Sequence, residues 1–401
     1  MKALSIHAGP RALEHLARHG LQPRDVGVVP AAAGGPKGLI LGPLDRFIFG
    51  QWLPQSQQPV HLVGGSIGAW RMATACLNDP VAALLQLEDA YVHQHYEVPP
   101  GKKRPPAAHV SERFGQSLQA FYAGRVDEVL QHPRYRLHLI AARGRHLLRR
   151  EHPVATPLGY LGAFMSNAVH RKALGAWLER VVFSSPQGGE LGGAETPALP
   201  FGTADFRTRQ VRLTHANFMD ALQASCSIPF VLQAVHHIAG APPGAYWDGG
   251  LTDYHMHLAY NTHQGSGSNA IEKIAAGAYS ESASGQFHSK KGVAASDQGA
   301  GLVLYPHFQH QVVPGWLDKG LRWRHRSTAA LDTMVVLSPR PARANTLPNA
   351  KLPDRQDFMH YGHDTAARAK AWLTATAAAQ QLADELAQWL ERPDLGAVQP
   401  L

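Results

Sequence analysis

Short apolar runs alternate with glycine turns and helix-periodic segments through the first part of the chain. Residues from Pro10 to about His19 read as a helix, with proline in its first turn and Gly20 as its stop. In DVGVVPAAAGGPKGLILGPLDRFIF, an apolar strand over 26–29 enters a glycine loop and then a helix from about Lys37. QPVHLVGGSIGAWRMATACL repeats the order: a strand over 60–63, a tight glycine turn, and a helix to about Leu77. Two such units in succession predict parallel strands joined by right-handed crossovers, hence an α/β layered fold.

Further strands are expected in RYRLHLIAARG (134–144), RQVRLT, GLVLYPHF and MVVLSP. NFMDALQASCSIPF begins as a helix and stops before Pro229, and GAYWDGGLTDYH reads as a strand end entering a glycine turn. A Gly/Pro-rich loop covers 185–202, and the chain closes with a long Ala-rich helix over about 364–392, capped by Asp364. Residues 264–300 are rich in Ser, Gly and Ala and read as a flexible insertion or flap rather than a linker. We therefore expect one domain over 1–401, with its chemistry-bearing core at about 25–255.

Composition narrows the class. Of 401 residues, 44% are hydrophobic and 17% charged, a globular balance. The N-terminus has no secretory pattern and no run of about 18 apolar residues occurs. Cys76 and Cys226 form no metal or redox spacing. These features predict a soluble, cytoplasmic protein. The net charge of +8 implies a surface attractive to anions. A soluble basic protein without a dedicated partner would satisfy it, as would nucleic acid or an anionic membrane surface. No helix-turn-helix, zinc-finger or aromatic RNA-binding signature favours nucleic acid. The segment 312–326 mixes Trp316, Leu317, Leu321 and Trp323 with basic residues. It suits peripheral contact with an anionic membrane, or a partly buried helix with a solvated basic face.

Chemistry concentrates at three turns. Ser66, between Gly64 and Gly68, would stand at a helix N-terminus, where free N–H groups favour developing negative charge. A tight βα turn explains the same residues without chemistry. The earlier loop AAAGGPKG lies at the same expected sheet edge, and Gly34 and Gly35 have no side chain to block their amides. Lys37 is not a phosphate-loop lysine, because the Gly-x4-Gly-Lys-Ser/Thr pattern is absent. A serine needs a base, and Asp248 in YWDGG or the neighbouring Asp253 would supply a carboxylate; either is equally explained as a turn former.

Together, GGPKG, Gly-x-Ser-x-Gly, ASCSIPF and WDGG, in that order over 31–250, resemble the patatin-like phospholipases. The resemblance implies a three-layer α/β/α sandwich with a mainly parallel central sheet. It implies a Ser–Asp dyad of Ser66 and Asp248, and an oxyanion or binding loop of Gly34, Gly35, Lys37 and Gly38. It implies no cofactor, and as substrate a lipid or other acyl ester cleaved through an acyl-enzyme. The family loop reads Asp-Gly-Gly-Gly-x-Arg-Gly, so Ala32, Ala33 and Lys37 replace its Asp, first Gly and Arg. Two competing readings remain: an esterase with a Ser-His-Asp triad using His360 or His363, and a non-catalytic lipid-binding or scaffold protein. Metal binding through His236–His237 or His255/His257 lacks a supporting motif.

Overall fold

Strands rich in Val, Leu and Ile without polar alternation need cover on both faces, and they find it in one sheet. The computed structural model describes residues 2–102, 104–186, 197–262 and 301–401. Its strands are β1 (Leu4–Ala8), β2 (Val26–Ala31), β3 (Val60–Gly65), β4 (Tyr135–Gly144) and β5 (Leu178–Ser184). They continue with β6 (Thr208–Arg212), β7 (Tyr246–Asp248), β8 (Leu302–Pro306), β9 (Met334–Pro339) and β10 (Val398–Pro400). The order is β10-β1-β9-β8-β2-β3-β4-β5-β6, with β7 set against β4. β8, β2, β3 and β4 run parallel, whereas β1–β9, β4–β5 and β4–β7 are antiparallel.

Helices cover the sheet. In chain order they begin α1 (Pro10–His19), α2 (Gly42–Phe47), α3 (Ile67–Ala75), α4 (Pro80–Val92), α5 (Ala107–Tyr122), α6 (Val126–Leu130), α7 (Ala155–Val169) and α8 (Phe218–Cys226). Every residue of α3 is buried, as its mostly small and apolar character allows. Its Arg71 is the exception in kind: it donates to both oxygens of buried Asp45 on α2, at 2.6 and 2.7 Å. That pair ties the helix after Ser66 to the segment that follows the glycine loop.

The expected mainly parallel α/β arrangement is what the chain adopts, with three differences in detail. The helix expected from Lys37 opens as a 3₁₀ stretch, Gly35–Leu41, and becomes α-helical only in α2. The closing helix is divided at Ala379 into Thr365–Ala378 and Gln380–Glu391, with Asp364 capping the first through the Ala367 amide. The Ala379 amide is shared among the carbonyls of Ala375, Thr376 and Ala377, which interrupts the regular ladder. The segment 312–326 is not one helix but two short turns, Trp316–Asp318 and Arg322–Arg324. Leu321 is buried there, while Trp323 is 63% exposed. The 264–300 insertion and most of the 185–202 loop lie outside the described residues.

Candidate active site

β4 brings the two candidate residues together. On one side of it, β3 pairs as far as Gly65 opposite Ile140. On the same line, β7 begins its own pairing with Asp248 opposite Ala141. Consecutive residues of β4 therefore face the residue before Ser66 and Asp248 itself. One strand arriving from each direction places the hydroxyl and the carboxylate side by side, although 182 positions (248 − 66) separate them in the chain.

Ser66 has φ 56° and ψ −132°, a left-handed region that side chains avoid. Such strain persists only where the surroundings enforce it. Here the Ser66 amide donates to both the carbonyl and the hydroxyl of Ser225, at 3.0 and 3.1 Å, and the Ser225 hydroxyl donates to the Ile140 carbonyl at 2.6 Å. The glycine at position 68 is required by close approach: a Cβ there would lie 2.1 Å from the Ala31 carbonyl oxygen. Two residues later in the ASCS stretch, the Ser227 carbonyl accepts the Asp248 amide at 2.8 Å. The small residues at the end of α8 thus hold both members of the pair.

Asp248 is 6% exposed. Its Oδ1 accepts the Gly250 amide at 2.8 Å, whereas Oδ2 is buried without a fully formed hydrogen bond. Burial raises its pKa above the ordinary carboxylate value; the Ser66 hydroxyl, Arg355, the Gly250 amide and Lys319 pull the other way. The Ser66 hydroxyl thus acts on the carboxylate without meeting full hydrogen-bond geometry. An open oxygen and a raised pKa suit a proton acceptor near neutral pH.

The glycine loop leaves β2 next to the elbow, since Ala31 pairs with Gly64. The amides of Gly34 and Gly35 carry no hydrogen bond among the described residues, whereas the Ala33 amide is spent on the Tyr254 carbonyl. Gly35 adopts φ 57°, the left-handed conformation that glycine takes without strain. Lys37 does not reach out as a free arm: its ammonium lies 5.3 Å from the Phe308 ring centre, and burial lowers its pKa. Gly38 packs on Ile67 and Arg71 of α3, which makes its role one of close packing.

Sequence reasoning missed two cations at this site. Lys319 stands 4.1 Å over the Tyr254 ring, and its pKa is pushed down to about 8 by burial, then by Arg355 and Lys37. Arg355 lies against Gly35, with Nε 3.3 Å from where a Cβ would stand. Neither has an ion-pair partner among the described residues. Both come from the last third of the chain: Lys319 lies in the 312–326 stretch, read from sequence only for membrane contact, and no motif points to Arg355, which the fold brings against Gly35.

Asp253, the competing candidate, is committed elsewhere. Both of its oxygens accept from Arg180, at 2.6 and 2.7 Å, and both side chains are fully buried. The candidate histidines show no hydrogen bond to Ser66 or Asp248 among the described residues. His360 and His363 are exposed at and beyond the end of the helix Gln356–Tyr361. His255 is buried, with burial and His307 holding its pKa well below the ordinary value. Among the described residues, no group of His, Cys, Asp or Glu side chains is arranged to hold a metal, and no helix is long and apolar enough to cross a membrane.

A family model described as patatin-like phospholipase matches residues 33–255, a span that holds Ser66, Asp248 and the loop glycines but neither Lys319 nor Arg355. No curated protein matches the chain.

Proposed function

The chain belongs to the patatin-like phospholipase family, and from that premise we propose that it is a lipid acyl hydrolase working through Ser66 and Asp248. One observation carries the assignment of residues: β4 places the end of β3 and the start of its pairing with β7 at consecutive positions. Ser66 Oγ attacks the ester carbonyl carbon while its proton passes to Asp248 Oδ2. The Gly34 and Gly35 amides receive the negative oxygen. The tetrahedral adduct collapses, the carbon–oxygen bond to the alcohol breaks, and Asp248 returns the proton to that alcohol. Water then attacks the acyl-serine as Asp248 takes its proton; the acyl–Oγ bond breaks, Asp248 passes that proton to Ser66 Oγ, and the fatty acid leaves.

A fluorophosphonate probe tests the nucleophile. The label is expected on the peptide containing Ser66, to vanish in Ser66→Ala and to persist in His360→Ala. Loss of labelling in the histidine variant would instead support a Ser-His-Asp triad.

Arg355 and Lys319 act on Asp248 as positive charges, with Lys37 near Lys319, which favours an ester whose polar part is anionic, a phosphate or carboxylate. Lys319 titrates at about 8, so its ammonium is present below that pH and is lost as pH rises through it. For an anionic ester, kcat/KM is expected to fall above about pH 8. Lys319→Arg, which stays charged, should move that limb to higher pH. A neutral short-chain ester should show the same profile with either protein; a limb unchanged by Lys319→Arg would sink this assignment.

A further inference from the structure

We infer that the outer face of α7 is a docking surface for an anionic lipid bilayer. α7 has no charged residue in its sequence, ATPLGYLGAFMSNAV. One face is buried through Thr156, Gly159, Tyr160, Ala163 and Asn167. The opposite face is apolar as well: Val154, Leu158, Leu161, Met165 and Val169 follow a spacing of three and four and are each more than half exposed. Half of the exposed large hydrophobic side chains among the described residues fall between Leu147 and Val169. A helix apolar on both faces and covered on one has an unmet partner.

Charge at its ends says which partner. Arg149 and Arg150 are exposed before the helix, and His170 and Lys172 after it. Arg324 donates to the Ala168 carbonyl at 3.3 Å, which brings exposed Arg322, Trp323 and Arg326 to the same end. Of the acids nearby, exposed Glu151 accepts the Ala234 amide, and buried Asp318 binds Asn167, Arg171 and Arg324. A second copy of α7 laid antiparallel would set Arg149 and Arg150 against Lys172 and Arg322, and a parallel copy would oppose like ends. An apolar stripe with cations at both ends matches an anionic lipid surface instead.

The face is coupled to the candidate site. Tyr160, on the buried side of α7, packs edge-on against Trp247 at 6.1 Å and Phe230 at 5.7 Å. Trp247 precedes Asp248, and Phe230 is itself 59% exposed beside the helix. A bilayer on α7 would lie about one helix diameter, ~10 Å, from the residues that hold the base.

Flotation with vesicles tests this independently of hydrolysis, because it can be run with the full-length Ser66→Ala protein. Binding is expected to equimolar phosphatidylcholine/phosphatidylglycerol vesicles and not to phosphatidylcholine alone. The pair Leu161→Asp with Met165→Asp should weaken it at least about tenfold, and Arg322→Glu with Arg326→Glu should weaken it and remove its salt dependence. In a Ser66-containing background both pairs should keep hydrolysis of a soluble short-chain ester, which reports intact folding. Failure to float with anionic vesicles, or flotation unchanged by the paired variants, overturns the proposal. A concentration-dependent dimer in sedimentation that Leu161→Asp/Met165→Asp abolishes would assign the face to a second copy.

Discussion

Asp248→Asn is expected to lower kcat/KM for ester hydrolysis by about 10²–10⁴, the usual contribution of a positioned general base. The substitution keeps the shape, and an amide oxygen can still accept the Gly250 N–H now bound by Oδ1. What is lost is the second oxygen as a proton acceptor, so the fold should survive while the chemistry fails. Ser66→Ala should remove turnover more completely, since no acyl-enzyme forms. The pH profile supplies a second readout. Burial raises the Asp248 pKa above its ordinary value, so the ionised base appears only as pH rises through that higher folded value. Activity of the Asp248-containing protein should climb on that acid limb, and the residual activity of Asp248→Asn should lack it. The same raised pKa means that the stability contributed by the protonated form is complete below the unfolded carboxylate value. It is lost as pH rises through the folded one. A kcat/KM for Asp248→Asn within threefold of the unsubstituted protein would place the base elsewhere.

Asp253→Ala should behave in the opposite sense: a loss of about 3–5 kcal/mol of stability rather than a selective loss of chemistry. Arg180 is fully buried, and Asp253 takes two of its donors at 2.6 and 2.7 Å. Asp205 receives two more contacts, at 3.0 and 3.2 Å, but is partly exposed and cannot neutralise the same face. Removing Asp253 therefore leaves a desolvated guanidinium without its main counter-charge, which is costlier than losing the pair together. A thermal or denaturant melt checks this, and replacing Arg180 and Asp253 jointly with apolar residues should recover part of the loss. A destabilisation below about 1 kcal/mol would show that the pair is not the structural anchor described above. Asp248 and Asp253 stand five positions apart, and these two experiments separate them.

Local pattern made much of the frame legible. The strand–loop–helix order of 26–77 carries its own geometry, because apolar runs, glycine turns and helix-periodic segments are read over neighbouring residues. Ser66 was legible for the same reason: the glycines flanking it mark a turn too tight for side chains. β5 was not, because Glu179 and Arg180 interrupt its apolar run, and only the sheet shows that Arg180 is buried against Asp253. The division at Ala379 was equally hidden, since alanine gives no local signal of a break.

By itself, then, the amino-acid sequence determined the α/β class, the strained turn at Ser66 and the small set of loops able to serve it. Those are properties of short segments, decided by sterics and periodicity. The tertiary structure decided the rest. Pairing on β4 set Asp248 beside the Ser66 turn, whereas Asp253 lies against Arg180. The fold alone brought Arg355 against the glycine loop and Lys319 over the Tyr254 ring, and it left the second apolar face of α7 exposed among the described residues. Each of these depends on which distant segments share a neighbourhood, and long-range pairing is set by the register of the whole sheet rather than by any local pattern.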